Sequence, residues 1–378
     1  MSPCGDFNRH QDINNSSMNT TSLFRPFALK SLLTRNRFVM SPMTRSYSPG
    51  GVPTSEVAAY YQRRAAGEVG LIISEGTAID RPSSANDGNV PRFYGEASLA
   101  GWQRVINAVK AAGGQMAPQL WHCGIQENHA SGWLPPAPFE GPSGIGNGVA
   151  MTDADIADTI AAFGRAAAHA KRLGFNSVEV QGGHGYLVDQ FFREDTNTRT
   201  GFFGGKTLAE RSRFAVEITR EIRKQAGDDF AVMMRVSQWQ LKDLHSKLVH
   251  TPEELAAWLT PLADAGIDIF HCSTRRFWEP EFEGSDLNLA GWTKKLTGKA
   301  TITVGSVGLD KDIISLHRGE NSSPASLEEL VRRMDNNEFD LVAVGRSVLA
   351  DPYWVQKVKE NRLDELQGFN REALFQLV

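Results

Sequence analysis

Short apolar runs, rich in β-branched residues, alternate along this chain with longer segments of helical periodicity. Eight such runs stand out: Arg37–Met43, Gly70–Glu75, Gln115–Trp121, Ser177–Gln181, Phe230–Val236, Ile267–Cys272, Thr301–Val304 and Phe339–Gly345. They are continuously apolar rather than alternating, as expected of parallel strands buried on both faces. The intervening segments carry helix signals. Thr54 is placed to cap a helix running to Arg64. From Ser98 onward, Leu99, Trp102, Val105 and Val109 fall close to one helical face. Thr152 opens a helix to Arg172, with Asp153 and Asp155 in the first turn, where the helix dipole favours acids. Thr207 to Gln225 repeats the pattern through Leu208, Phe214, Ile218 and Ile222. Thr251-Pro252-Glu253-Glu254 is an N-cap with proline in the first turn. Ser326 and Glu329 have capping-box spacing.

Eight strands, each followed by a helical segment, predict a single (β/α)8 barrel of the α/β class. A doubly wound sheet is the rival, but no G-x-G-x-x-G follows the first strand. Gly144-x-Gly146-x-Gly148 lies in a Pro/Gly-rich loop before a polar helix start. The expected organisation is a flexible tail over residues 1–22, a barrel over 23–365 and a C-terminal segment over 366–378.

Composition narrows the function. The chain has 378 residues, 41% of them hydrophobic and 22% charged, enough to bury a large core and too apolar for a disordered chain. Net charge is −4 and the pI about 6.2, without the basic excess of a nucleic-acid binder. Cys4, Cys123 and Cys272 form no C-x-x-C pair and no disulfide framework. The polar residues 1–22 contain no apolar core of a signal peptide, and no run approaches a membrane span. A cytoplasmic protein with no membrane or nucleic-acid partner is expected.

In a barrel the chemistry lies at the C-terminal strand ends. Arg235 stands inside an apolar strand, where a charge needs a partner or a ligand. Gln181, His184 and Tyr186 follow another strand: an amide, an imidazole and a phenol, suited to holding and protonating an oxygen or carbon centre. Glycines follow the last two strands, with Arg346 after the second, where barrels commonly bind phosphate. Each feature also has a structural reading: a buried ion pair, a hydrogen-bonded core histidine, a tight turn. His122-Cys123 and His271-Cys272 lack the carboxylates or spaced histidines of a metal centre, so no metal is expected.

Several motifs resemble the Old Yellow Enzyme family of FMN-dependent ene-reductases. They are Phe24-x-Pro26, Asn36-Arg37, Ser41-Pro42-Met43-Thr44-Arg45, Gly70 through Gly76, Gln119-Leu120-Trp121, Gly185-Tyr186-Leu187-Val188-Asp189-Gln190-Phe191, Thr196-Asn197-x-Arg199-Thr200, and Val344-Gly345-Arg346 with Asp351-Pro352. They occur in the family's order between Leu23 and Val358. The resemblance implies non-covalent FMN at the barrel mouth and NAD(P)H as reductant. It implies that Thr44 bonds the flavin C4 oxygen, with Pro42, Met43 and Gly76 in the same cofactor-binding set. Gln119 would pair with the pyrimidine edge, and Arg235 would sit near N1 and the C2 oxygen. Gly305, Ser306, Gly345 and Arg346 would hold the phosphate.

It further implies ping-pong reduction of α,β-unsaturated carbonyl compounds, two donors holding the carbonyl oxygen and Tyr186 protonating the α-carbon. The family usually places His-x-x-His or His-x-x-Asn at the donor pair; here it is Gln181-x-x-His184. A same-fold FMN enzyme catalysing oxidation, isomerisation or cyclisation is the alternative, and a flavin-free binding barrel a further one. Monomer and homodimer are both left open.

Overall fold

The computed structural model describes residues 18–378. Eight parallel strands close into one barrel. They are β1 (Phe38–Met40), β2 (Leu71–Ala78), β3 (Gln115–Trp121), β4 (Ser177–Gln181), β5 (Ala231–Ser237), β6 (Ile269–Ser273), β7 (Ala300–Val304) and β8 (Leu341–Val344), and β8 pairs with β1. All eight fall on the apolar runs of the sequence. Around them lie α1 (Ser55–Ala66), α2 (Glu96–Ala111), α3 (Asp153–Leu173), α4 (Arg213–Ala226), α5 (Pro252–Ala265), α6 (Leu289–Thr297), α7 (Glu328–Asp335) and α8 (Trp354–Lys359). Among the described residues no helix is long and apolar enough to cross a membrane.

The barrel interior is graded. Its apolar layers are Val39, Leu71, Ile73, Ala117, Ala231, Met233, Ile269, Ile302 and Leu341, closed below by Phe27 and Leu32. Those two belong to an antiparallel hairpin, Phe27–Leu29 with Leu32–Thr34. Ser31 fastens its turn, donating to the Asn176 carbonyl at 2.7 Å and accepting the Ala231 N–H at 2.8 Å. Lys30 pairs with Asp268 at 2.8 Å. Further along β3 to β6 the inward positions become polar: Gln119, Glu179, Gln181, Arg235, His271 and Ser273, all buried. Strand period and barrel closure therefore gather the polar groups of β3 to β6 at one end. Outside, α-helical faces seal against the strands around the fully buried Trp102, Trp258 and Trp354. Each such side chain contributes about 1.5–3 kcal/mol of burial.

Capping follows the sequence at most helices. Thr54, Thr152 and Thr251 each accept a backbone N–H from the first turn, and Thr152 with Asp155 forms a full capping box. Two expectations need correction. The helix expected from Thr207 to Gln225 is interrupted at Ser212, whose hydroxyl bonds back to the Leu208 carbonyl at 2.7 Å, leaving a short turn over Leu208–Arg211 before α4. Ser326 and Glu329 form no capping box. Ser326 Oγ accepts the Glu328 N–H at 3.2 Å, and Glu329 is drawn away by Arg332 and Arg333, both at 2.7 Å.

The tail expected over residues 1–22 lies, through residue 17, outside the described residues. Beyond it, Thr21–Phe24 forms a 3-10 turn with Leu23 fully buried. The segment after residue 365 lies on the barrel: Phe369 is buried, and Arg45 donates to the carbonyls of Ala373, Leu374 and Gln376 at 3.2, 3.1 and 2.8 Å.

Candidate active site

A cavity of about 430 Å³ opens at the C-terminal ends of the strands, within the range of cofactor and small-molecule sites. All thirteen residues singled out in the sequence line it: Pro42, Met43, Thr44, Gly76, Gln119, Gln181, His184, Tyr186, Arg235, Gly305, Ser306, Gly345 and Arg346. Their gathering is a consequence of the barrel, because each lies in the last residues of a strand or just beyond its C-terminal end.

The loop after β1 carries Pro42, Met43 and Thr44, and Glu75 fixes it. Glu75 Oε2 accepts the backbone N–H groups of Arg45 and Ser46 at 2.9 and 3.1 Å, while its other oxygen has no partner. Burial pushes its carboxyl up to about 7, opposed by those two bonds. The folded protein thus holds this proton more tightly than the unfolded chain, whose glutamates titrate near 4.5. Stability from this group is complete below about pH 4.5 and is lost as pH rises through 7. We expect Glu75→Gln to melt several degrees above the parent protein at pH 8 and level with it at pH 4.5. Equal differences at both pH values in calorimetry would show that the carboxyl does not titrate.

The middle of the cavity is built by β3 to β6. Gln119 Nε2 donates to Glu179 Oε1 at 2.9 Å, and His271 Nδ1 lies 2.7 Å from Glu179 Oε2. Arg235 is buried and meets no carboxylate at ion-pair distance among the described residues. Its Nε is unpartnered, and Nη2 reaches only Ser273 Oγ at 3.4 Å. Burial lowers its pKa to about 10, with Glu179 opposing, so it stays charged at neutral pH. The candidate donor pair is brought together, but its members are engaged with each other: Gln181 Nε2 lies 3.2 Å from His184 Nδ1. His184 has a left-handed backbone, φ 65°, and stacks on Trp239 at 4.2 Å. Tyr186 stands edge-on to Trp121 at 5.4 Å, and its hydroxyl bonds to no described residue.

The far end is formed after β7 and β8. Gly305 has φ 136°, and a Cβ there would lie 2.5 Å from the Thr274 carbonyl oxygen and 2.8 Å from the Arg275 backbone, so only glycine fits. Among the described residues Arg346 takes neutral partners only, the carbonyls of Asp312 and Lys311 at 3.1 and 2.6 Å and the hydroxyls of Ser322 and Ser306 at 3.2 and 3.5 Å. Arg275 also lines this end. The cavity therefore holds two guanidinium groups without ion-pair partners among the described residues, one at the polar barrel interior and one at the glycine-rich end.

The two His-Cys pairs weighed in the sequence have other partners. His122 lies 3.0 Å from Glu140 Oε1 and accepts the Gly124 N–H at 2.9 Å. Arg81 grips the same Glu140 through both oxygens, at 2.9 and 2.6 Å, which ties the excursion after β3 to the barrel. Cys123 donates to the Ser83 carbonyl. Sequence reasoning missed Trp121, Trp239, Ser273, Thr274 and Arg275 as cavity residues. Trp121 and Ser273 end strands in inward register with Gln119 and His271, a signal that becomes usable once the barrel register is known.

The family described as NADH:flavin oxidoreductase / NADH oxidase matches residues 22–365 of this chain. A "NADH oxidase" of Thermoanaerobacter brockii is 32% identical over 359 residues, 92% of this chain and 52% of that protein, so the chain spans about half of its length. A "NADPH dehydrogenase" of Bacillus cytotoxicus is 30% identical over 88% of this chain and 91% of its own length. Among solved structures, morphinone reductase in complex with tetrahydroNAD superposes with a TM-score of 0.74 at 26% identity, covering 93% of each chain.

Proposed function

The chain belongs to the NADH:flavin oxidoreductase / NADH oxidase family of NAD(P)H-dependent flavin oxidoreductases, with FMN as the family cofactor, and from that premise we propose that it reduces the activated C=C bond of α,β-unsaturated carbonyl compounds in two alternating half-reactions. One observation carries the reading. One cavity is lined by two guanidinium groups without ion-pair partners among the described residues, Arg235 and Arg346, together with the amides of Gln119 and Gln181 and the phenol of Tyr186. This set fits FMN: Arg346 and the turn at Gly305 and Ser306 for a phosphate, Arg235 for a ring edge that gains negative charge on reduction, Gln119 for the pyrimidine edge. Bound FMN supplies a two-electron carrier that accepts hydride from a nicotinamide and delivers it to an electron-poor carbon.

The chain's own residues do the rest. Gln181 has two amide protons and spends one on His184, leaving one for a carbonyl oxygen. Arg235 stays charged and counters negative charge that builds beside it. Tyr186 holds a proton at its phenol oxygen, which burial pushes up to about 12, ready for the α-carbon. Trp121 and Trp239 wall the chamber with flat apolar surface.

The test is an anaerobic visible spectrum of the purified protein with FMN, before and after NADPH and then cyclohexenone. We expect a flavin band that bleaches with NADPH and returns with cyclohexenone. The engagement of Gln181 with His184 favours a second reading, an FMN enzyme of the same fold acting on another oxidant. A band that bleaches and does not return would select it, and a protein that takes up no flavin would overturn both.

A further inference from the structure

We infer that the Ser273 hydroxyl, rather than the His184 imidazole, presents the proton at this point of the cavity to an acceptor oxygen of a bound ligand, with His184 acting through it as a positioning residue. The inference rests on the cavity being the reaction chamber proposed above, and it follows from a count of protons. Gln181 Oε1 accepts the Gly183 N–H at 3.3 Å, which turns the amide so that Nε2 faces His184. An amide nitrogen only donates, so His184 Nδ1 is the acceptor. Burial, with Arg235, His271 and Arg193 adding to it, keeps the imidazole neutral, and a neutral ring has one N–H. That proton is therefore on Nε2.

Nε2 lies 2.8 Å from Ser273 Oγ, which must accept it. The other polar group beside Ser273 Oγ is Arg235 Nη2 at 3.4 Å, which also only donates. Ser273 is surrounded by donors. Its own proton has no acceptor among the described residues and turns into the cavity that Ser273 lines.

The surroundings hold this arrangement in place. The His184 N–H donates to Ser237 Oγ at 2.8 Å, Trp239 lies flat on the ring, and the left-handed backbone fixes the direction of the side chain. A hydroxyl that accepts from an imidazole N–H and a guanidinium is polarised into a better donor. The matching ligand chemistry is an acceptor oxygen, either the enolate-like oxygen of the second substrate or an oxygen of the cofactor.

Histidine 15N NMR of the purified protein reads the first half of the argument without any ligand. We expect His184, assigned by its absence in His184→Asn, to carry its proton on Nε2. A proton on Nδ1 would make Ser273 the donor to the ring and overturn the inference. The second half is read by affinities of the FMN-loaded protein for a para-substituted phenol, by long-wavelength absorption, and of the apoprotein for FMN, by fluorescence quenching. Ser273→Ala should lose about 10-fold in one of them, and Ser273→Thr, which keeps the hydroxyl, should retain it. A loss confined to the phenol places the acceptor on the second substrate; a loss confined to FMN places it on the cofactor. Unchanged affinity for both would overturn the inference, whereas wild-type protein that binds no FMN would sink the functional reading and leave the tautomer result standing as the test.

Discussion

Arg235→Met is expected to raise the melting temperature of the cofactor-free protein by several degrees while weakening FMN binding about 100-fold. The two effects have opposite signs because one charge causes both. A buried guanidinium without a carboxylate at ion-pair distance costs several kcal/mol, since its Nε is unpartnered and its nearest hydrogen bond, to Ser273, is 3.4 Å long. Methionine keeps much of the length of the side chain and removes the charge. The same charge is what a ring edge rich in acceptors would bind, and charge-assisted hydrogen bonds contribute about 1.5–3 kcal/mol each. Calorimetry of the apoprotein and fluorescence titration with FMN measure the two effects separately. A lower melting temperature with unchanged FMN affinity would instead make Arg235 a structural link to Glu179 and Ser273.

Tyr186→Phe is expected to slow reoxidation of the reduced enzyme by an enone about 100- to 10,000-fold and to leave reduction by NADPH nearly intact. The substitution removes one oxygen and leaves the edge-on contact with Trp121 in place. The phenol titrates near 12 and makes no hydrogen bond to a described residue, so its proton is both retained and available. Its raised pKa also fixes a pH signature. The phenol is protonated throughout pH 6–9, so the oxidative step should show no titration from this group in that range. Stopped-flow measurement of each half-reaction separates the outcomes, and equal losses in both would remove Tyr186 from proton transfer.

The barrel was legible because its strands are uniformly apolar and its punctuation is strong. Thr54, Thr152 and Thr251 mark helix starts by chemistry that acts within four residues, so no tertiary information is needed. The reading faltered where a side chain had a competing partner. Ser212 turns its hydroxyl on its own helix, and Glu329 is claimed by two arginines one turn away. At the site, residues were found where a strand end carried distinctive chemistry, whereas Trp121 and Ser273, which also end strands, needed the inward register of the barrel to be recognised. Gln181 and His184 are three apart, so their proximity was visible. That His184 leans on Ser273, 89 positions away, depends on β4 and β6 flanking β5. The thirteen residues share one cavity.

The hairpin beneath the barrel has a kinetic consequence. Phe27 and Leu32 stopper the N-terminal end, and Ser31 and Lys30 pin the stopper to the strands above it. A chamber sealed at the bottom has one doorway. In the alternating reaction proposed above, electron donor and electron acceptor would pass through it by turns, neither being handed in from behind while the other is seated. Whichever is in excess obstructs the other's visit, so turnover should peak and then decline as either concentration is raised. On that proposal, the competition for the doorway originates in the packed floor of the barrel, hairpin included, at the opposite end from the chemistry.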